Sequence, residues 1–141
     1  MIIRITTAKF LLFLFALLFS CTNSDKKNNE SSEGRVIKLD ARGFQSKAAE
    51  TPDAVILDVR TPGELSEGII KGAVNIDFKD PSFREKISSL DKDKSYFLYC
   101  LSGKRSSDAA THMESLGFNN IYTLDGGLKN WNAEGLETVK P

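Results

Sequence analysis

The chain has 141 residues, and its 19 Lys and Arg are balanced by 19 Asp and Glu, so the formal net charge is zero. That balance excludes the strongly basic face of a nucleic-acid binder. Two cysteines and one histidine exclude a disulfide framework or a Cys/His metal cluster. Residues 35–141 can bury one core but not two, and no internal repeat divides them.

Residues 1–20 read as a signal peptide. Arg4 and Lys9 form a basic start, and an uninterrupted apolar run follows from Phe10 to Phe19. The run is too short for a membrane-spanning helix, which needs about 20 residues, but it suits the apolar core of a signal sequence. Leu18-Phe19-Ser20-Cys21 then has the order of a lipoprotein processing box, which makes Cys21 the expected lipidation site. Cleavage would remove Arg4 and Lys9 and leave a slight acidic excess. Residues 21–34 hold no large apolar side chain after Cys21. They cannot bury enough surface to offset chain ordering, so they predict a polar tether reaching on the order of 20 Å. The expected location is the bacterial cell envelope, lipid-anchored and extracytoplasmic. The alternative is a soluble secreted or periplasmic protein.

From residue 35 onward, strand and helix signals alternate. Val36 to Leu39 predicts a short strand, and Asp40 a helix cap leading through Ala49. Val55-Ile56-Leu57 and Ala73 to Ile76 predict two more strands. Asp80-Pro81 predicts a helix start with proline in the first turn, and Phe83, Ile87 and Leu90 recur at helical spacing. Tyr96 to Tyr99 is a buried strand, Ser106 to Leu116 a helix stopped by Gly117, and Ile121 to Leu124 the last strand. Asp125 predicts the cap of a final helix carrying Leu128 and Trp131, with Gly126-Gly127 as a turn signal and Trp131 in the core. Five short apolar runs separated by helices predict an α/β domain over residues 35–141. Its largely parallel sheet would be covered on both faces.

Cys100-Leu101-Ser102-Gly103-Lys104-Arg105-Ser106 follows the Tyr96 to Tyr99 strand and leads into a helix. A cysteine is thereby held at a strand exit beside a helix N-terminus, whose unpaired N–H groups favour negative charge. Lys104 and Arg105 add two cations. All three influences favour thiolate, the nucleophilic form. Gly103 suits a loop whose N–H groups converge, because glycine permits positive φ and close backbone approach. His112 lies beside the stripe Ala109, Ala110, Met113 and Leu116, and reads as a boundary histidine, not a catalytic base.

The Cys-x-x-Gly-x-Arg-Ser segment resembles the active-site loop of the rhodanese family of sulfurtransferases. Leu57-Asp58-Val59-Arg60-Thr61-Pro62-Gly63-Glu64 is similar to that family's first signature. Gly68 to Ile76 is similar to the segment that follows it, and Leu124-Asp125-Gly126-Gly127-Leu128 with Trp131 and Gly135 to its C-terminal end. The resemblance covers roughly residues 35 to 137. Ile69 departs from it, standing where the family usually has histidine. Leu101 stands where many relatives carry a polar or basic residue.

The resemblance implies a three-layer α/β fold and sulfur transfer through a Cys100 persulfide. The donor would be a small anion such as thiosulfate, and the acceptor an external thiol or cyanide. Backbone N–H groups of Leu101 to Ser106 would hold the persulfide, and Lys104 and Arg105 the anionic donor. Asp58 would contact the catalytic loop by resemblance, while Arg60 and Glu64 are close enough in sequence to pair. No cofactor, metal or nucleic acid is implied, the membrane is met only through the N-terminal lipid, and the chain is expected to act as a monomer.

Two other readings exist. One is a binding module of the same fold without catalysis. The other is a cysteine-dependent phosphatase or arsenate reductase. Only Leu101, Ser102, Gly103 and Lys104 separate Cys100 from Arg105, one residue fewer than in those related enzymes. The shorter loop makes a narrower cradle, better matched to one sulfur atom than to a tetrahedral oxyanion.

Overall fold

The structure is a computed structural model that describes residues 35–141. The leader, Cys21 and the tether lie outside the described residues. Five strands, β1 (Arg35–Leu39), β2 (Ala54–Asp58), β3 (Val74–Asn75), β4 (Ser95–Tyr99) and β5 (Asn120–Leu124), form one sheet in the order β1-β5-β4-β2-β3. Every neighbouring pair is parallel. Parallel neighbours need crossovers, and α1 (Ala41–Glu50), a 3₁₀ turn at Pro62–Glu67, α2 (Phe83–Ser88) and α3 (Lys104–Ser115) supply the four in chain order, while α4 (Gly127–Ala133) follows the last strand.

The side chains of β4 explain the three layers. Successive strand residues point to opposite faces. Tyr96, Leu98 and Cys100 join one core with Phe83 and Ile87 of α2 and Ala109, Ala110 and Met113 of α3. Phe97 and Tyr99 join the other core with Ala41 and Phe44 of α1 and Leu128 and Trp131 of α4. Both faces of β4 are therefore covered, which is why its sequence is continuously apolar. Trp131 is 3 % exposed, in the core as expected, and its indole N–H donates to the Glu137 carbonyl at 3.0 Å.

Several boundaries differ from expectation for local reasons. Asp40 does cap α1, accepting from the Gly43 N–H at 2.7 Å. The Asp80 carboxylate instead accepts from the Ser82 N–H and hydroxyl, at 2.8 and 2.7 Å. This turn delays α2 to Phe83, with Ser82 in the cap position. Helix α3 starts at Lys104, two residues early, because Gly103 (φ +91°) turns the chain and its carbonyl accepts the Ser107 N–H. Asp125 does not cap α4. Gly126, at φ +69°, takes that position, and the Asp125 N–H pairs with the Leu39 carbonyl. Ile69, the departure from the family pattern, sits in an isolated antiparallel bridge with Val139.

Candidate active site

Cys100 stands at the C-terminal end of β4, the edge where open parallel sheets place their ligands. It is 1 % exposed. The loop after it doubles back, so the Gly103 N–H donates to Cys100 Sγ at 3.1 Å. Ser106 Oγ lies 3.7 Å from the same sulfur and 3.0 Å from the Gly103 carbonyl. Burial is the largest single influence on the thiol and opposes its ionisation. Hydrogen bonds from the Ser106 backbone and hydroxyl, and from the Ser102 and Gly103 N–H groups, outweigh it together. The net result is a thiol pKa below its ordinary value.

Arg105 sits in the first turn of α3 and reaches across to the 3₁₀ turn. Its two terminal nitrogens bind both carboxylate oxygens of Glu64, at 2.8 and 2.7 Å. Such a fork-to-fork pair fixes geometry as well as charge. Thr61 adds its N–H and hydroxyl to Glu64 Oε2, at 3.0 and 2.9 Å. Glu64 is held down to a pKa of about 2, above all by the Arg105 hydrogen bonds. Arg105 is shifted upward, first by Glu64 and further by the nearby Cys100 sulfur.

The expected Arg60–Glu64 side-chain pair is not what forms. Arg60 is fully buried, and its Nε and Nη2 engage the Asp58 carboxylate at 2.7 to 3.0 Å. Its remaining donors reach the Glu64 and Gly68 carbonyls. Thus Arg60 meets Glu64 only through the main chain, which leaves the Glu64 carboxylate free to cross to Arg105. Asp58 likewise binds Arg60, and no hydrogen bond joins its side chain to residues 100–106 among the described residues. It supports the loop indirectly, because Asp58 is the register partner of Tyr99, the residue before Cys100. Lys104 extends outward, its side chain 83 % exposed and 3.3 Å from Asp108. Leu101 is half-buried and Ser102 exposed. His112 lies at the boundary as expected, with Nε2 buried and without a hydrogen-bond partner among the described residues.

One element of the site was legible only in part. The N–H groups of Leu128 and Lys129, in the first turn of α4, donate to the Cys100 and Leu101 carbonyls at 2.8 and 3.1 Å. In the sequence the Gly-Gly pair at 126–127 marks the turn and Leu128 and Trp131 the helix, but neither shows that the helix start meets the Cys100 loop. Among the described residues there is no cluster of three metal-binding side chains, and no helix is long and apolar enough to cross a membrane.

With this geometry in place, residues 40–134 match the family described as the rhodanese-like domain. The chain belongs to that family. A curated sulfurtransferase from Allochromatium vinosum is 31 % identical over 106 residues, covering 75 % of this chain and 97 % of that protein. Thiosulfate sulfurtransferase GlpE from Pseudomonas entomophila is 33 % identical over 87 residues, covering 62 % and 78 % of the two chains. Among solved structures, a rhodanese-related protein from Thermoplasma volcanium superposes with a TM-score of 0.65 at 31 % identity, over 74 % of this chain and 99 % of that one. The fold of this domain is thus shared with that rhodanese-related structure.

The Glu64–Arg105 bridge has a measurable consequence. Glu64→Gln should lower stability by about 1–2 kcal/mol at neutral pH, the modest value of a partly exposed charged hydrogen bond. Because folding lowers the Glu64 pKa, the bridge contributes fully above the unfolded value near 4.5 and fades as pH falls toward about 2. Urea unfolding of wild type and variant at several pH values should therefore show two curves that converge on acidification. A constant gap down to the acid limit would place the stabilisation elsewhere.

Proposed function

We propose that this protein is a sulfurtransferase that carries a sulfane sulfur on Cys100. The observation that carries this reading is the Cys100 sulfur itself, buried at a strand end and facing N–H and hydroxyl donors that favour its thiolate. In the first step the Cys100 thiolate attacks the outer sulfur of an anionic donor such as thiosulfate. The donor's S–S bond breaks, sulfite leaves with the electron pair, and a Cys100 persulfide remains. In the second step an external thiolate or cyanide attacks the outer sulfur. The persulfide S–S bond breaks, and Cys100 leaves as thiolate. This is a ping-pong cycle, and the loop's N–H groups stabilise the anion in every state.

Arg105 contributes chiefly as a brace, since both its terminal nitrogens are engaged by Glu64. Lys104 attracts the donor through space, a contribution that salt screens. Intact mass spectrometry tests the cycle directly. Incubation with thiosulfate should add one sulfur atom to the protein, and cyanide should remove it. Hydrolysis of an aryl phosphate should be negligible beside thiosulfate turnover. No adduct under any donor would leave the binding-module reading in its place, and dominant phosphatase turnover would overturn the sulfur chemistry.

The same reading places the domain on a bacterial membrane through a lipidated Cys21, supported by the order of signals in residues 1–34. A diacylglyceryl group brings two chains, enough for stable anchoring where one is marginal. Metabolic labelling with a fatty acid should mark the wild type and not Cys21→Ser. An unlabelled wild type with a mature N-terminus elsewhere would make it a soluble secreted protein.

A further inference from the structure

We propose that Gly127 is a positioning residue for Cys100: lacking a side chain, it lets the first turn of α4 close on the Cys100 loop and hold the Gly103 N–H at the sulfur. The inference goes beyond the sulfur-transfer reading and does not depend on the identity of the donor.

In a trans peptide the C=O and the following N–H point in opposite directions, and the described residues contain no cis peptide. The Leu101 carbonyl is held at 3.1 Å by the Lys129 N–H of α4. The N–H on the far side of that same peptide belongs to Ser102. Anchoring the carbonyl to α4 therefore turns the Ser102 N–H away from α4 and fixes the chain just before Gly103, whose N–H donates to Cys100 Sγ at 3.1 Å. The Leu128 N–H fixes the preceding peptide in the same way, through the Cys100 carbonyl at 2.8 Å. These two α4 N–H groups belong to a first turn, where no intrahelical acceptor exists for them. The loop and the helix start thus satisfy each other.

This approach requires glycine at 127. The residue has φ +63°, and a Cβ there would stand 2.7 Å from Leu101 C and 2.8 Å from Gly103 N, and closer still to the Cys100 carbonyl oxygen. All three atoms are backbone, so none can swing aside. Gly103 N is itself the group that donates to Cys100 Sγ. A methyl group at 127 must push α4 and the loop apart at the atoms that set the nest. Gly126 differs in a useful way. Its φ of +69° is similar, but the three atoms nearest its Cβ all belong to the Asn130 side chain. Alanine at 126 therefore introduces comparable backbone strain, with its nearest clash against the Asn130 side chain of α4 itself.

The test is the pH dependence of Cys100 alkylation by iodoacetamide in the full chain, followed on the Cys100 peptide by mass spectrometry so that Cys21 does not interfere. Gly127→Ala should move the alkylation midpoint upward by about one pH unit, toward that of an ordinary thiol near 8.5, and should cut thiosulfate kcat/KM about tenfold or more. Gly126→Ala should lose thermal stability to a similar degree yet keep the wild-type midpoint. A folded Gly127→Ala with an unshifted midpoint would overturn the proposal, as would equal shifts in both variants. Should Gly127→Ala fail to fold, Lys129→Pro gives an independent readout. Proline is tolerated in a first turn and removes the N–H that holds Leu101, with Lys129→Ala as its charge control. A higher midpoint in Lys129→Pro than in Lys129→Ala supports the device, and equal midpoints overturn it. Because the midpoint is read without any sulfur donor, a wild type inert to thiosulfate would defeat the proposed function while leaving this inference to stand or fall separately.

Discussion

Cys100→Ser is expected to abolish the sulfur adduct and to reduce transfer to cyanide at least about a thousandfold, the scale typical of removing a covalent nucleophile. A serine hydroxyl cannot take up a sulfane sulfur under these conditions, since the step needs a polarisable thiolate to attack the donor's outer sulfur. The fold should survive the change. Serine is close to cysteine in size, and the Gly103 N–H and Ser106 hydroxyl already offer partners at that position. The buried hydroxyl would therefore be hydrogen-bonded, and the change in stability should stay within about 1–2 kcal/mol. The comparison with wild type must be made on thermal unfolding and transfer rate together. A variant that is folded and still transfers sulfur at near-normal rate would remove Cys100 from the mechanism. A variant that is inactive only because it has unfolded would show it in the melting curve.

The strands and the cysteine loop were legible because both are written in consecutive residues. Apolar runs such as Tyr96 to Tyr99 announce a strand buried on both faces, and the Cys100 segment carries its glycine and its cations within seven positions. Helix starts were less legible. Two of the four depend on glycine at positive φ, Gly103 before α3 and Gly126 before α4, and the sequence offered Ser106 and Asp125 as more conventional starts. Pairing across the fold was the least legible. Arg60 and Glu64 are near neighbours in sequence, which made them look like partners. The fold gives each a different one. Glu64 finds Arg105 across 41 positions because the 3₁₀ turn and the first turn of α3 meet at the same sheet edge. Arg60 is fully buried, a condition that sequence does not announce for arginine, whose usual place is the surface. The Gly126-Gly127 pair showed a turn but not what the turn approaches.

Asp58→Ala is expected to be the most destabilising of the substitutions considered at the site's periphery, at about 3–5 kcal/mol. The reason lies in what it leaves behind. Arg60 would retain a buried guanidinium whose Nε and Nη2 lose their carboxylate, while its other donors stay tied to the Glu64 and Gly68 carbonyls. Burial disfavours the charge on Arg60 more than any other single influence, and the Asp58 hydrogen bonds and charge are what chiefly reverse that balance. Against a total stability of about 5–15 kcal/mol for a domain of this kind, such a loss would lower the melting temperature markedly. The effect belongs to an unpaired charge, not to missing packing, and a double change separates the two. Replacing the pair together, as Asp58→Ala with Arg60→Met, removes the orphaned charge and should recover much of the loss. Chemical denaturation of the single and double variants decides the matter. If the double variant is as unstable as the sum of the two single changes, the pair is not coupled and its burial serves packing alone. Activity follows a different rule. Asp58 reaches the Cys100 loop indirectly, through its register partner Tyr99, the Val59 N–H bond to the Tyr99 carbonyl at 3.0 Å, and the bond from Arg60 to the carbonyl of Glu64, the partner of Arg105. Per folded molecule, Asp58→Ala should therefore lose far less sulfur transfer than Cys100→Ser, because the donors that face the Cys100 sulfur come from the loop and from α3, and α4 holds that loop from the other side of the sheet edge.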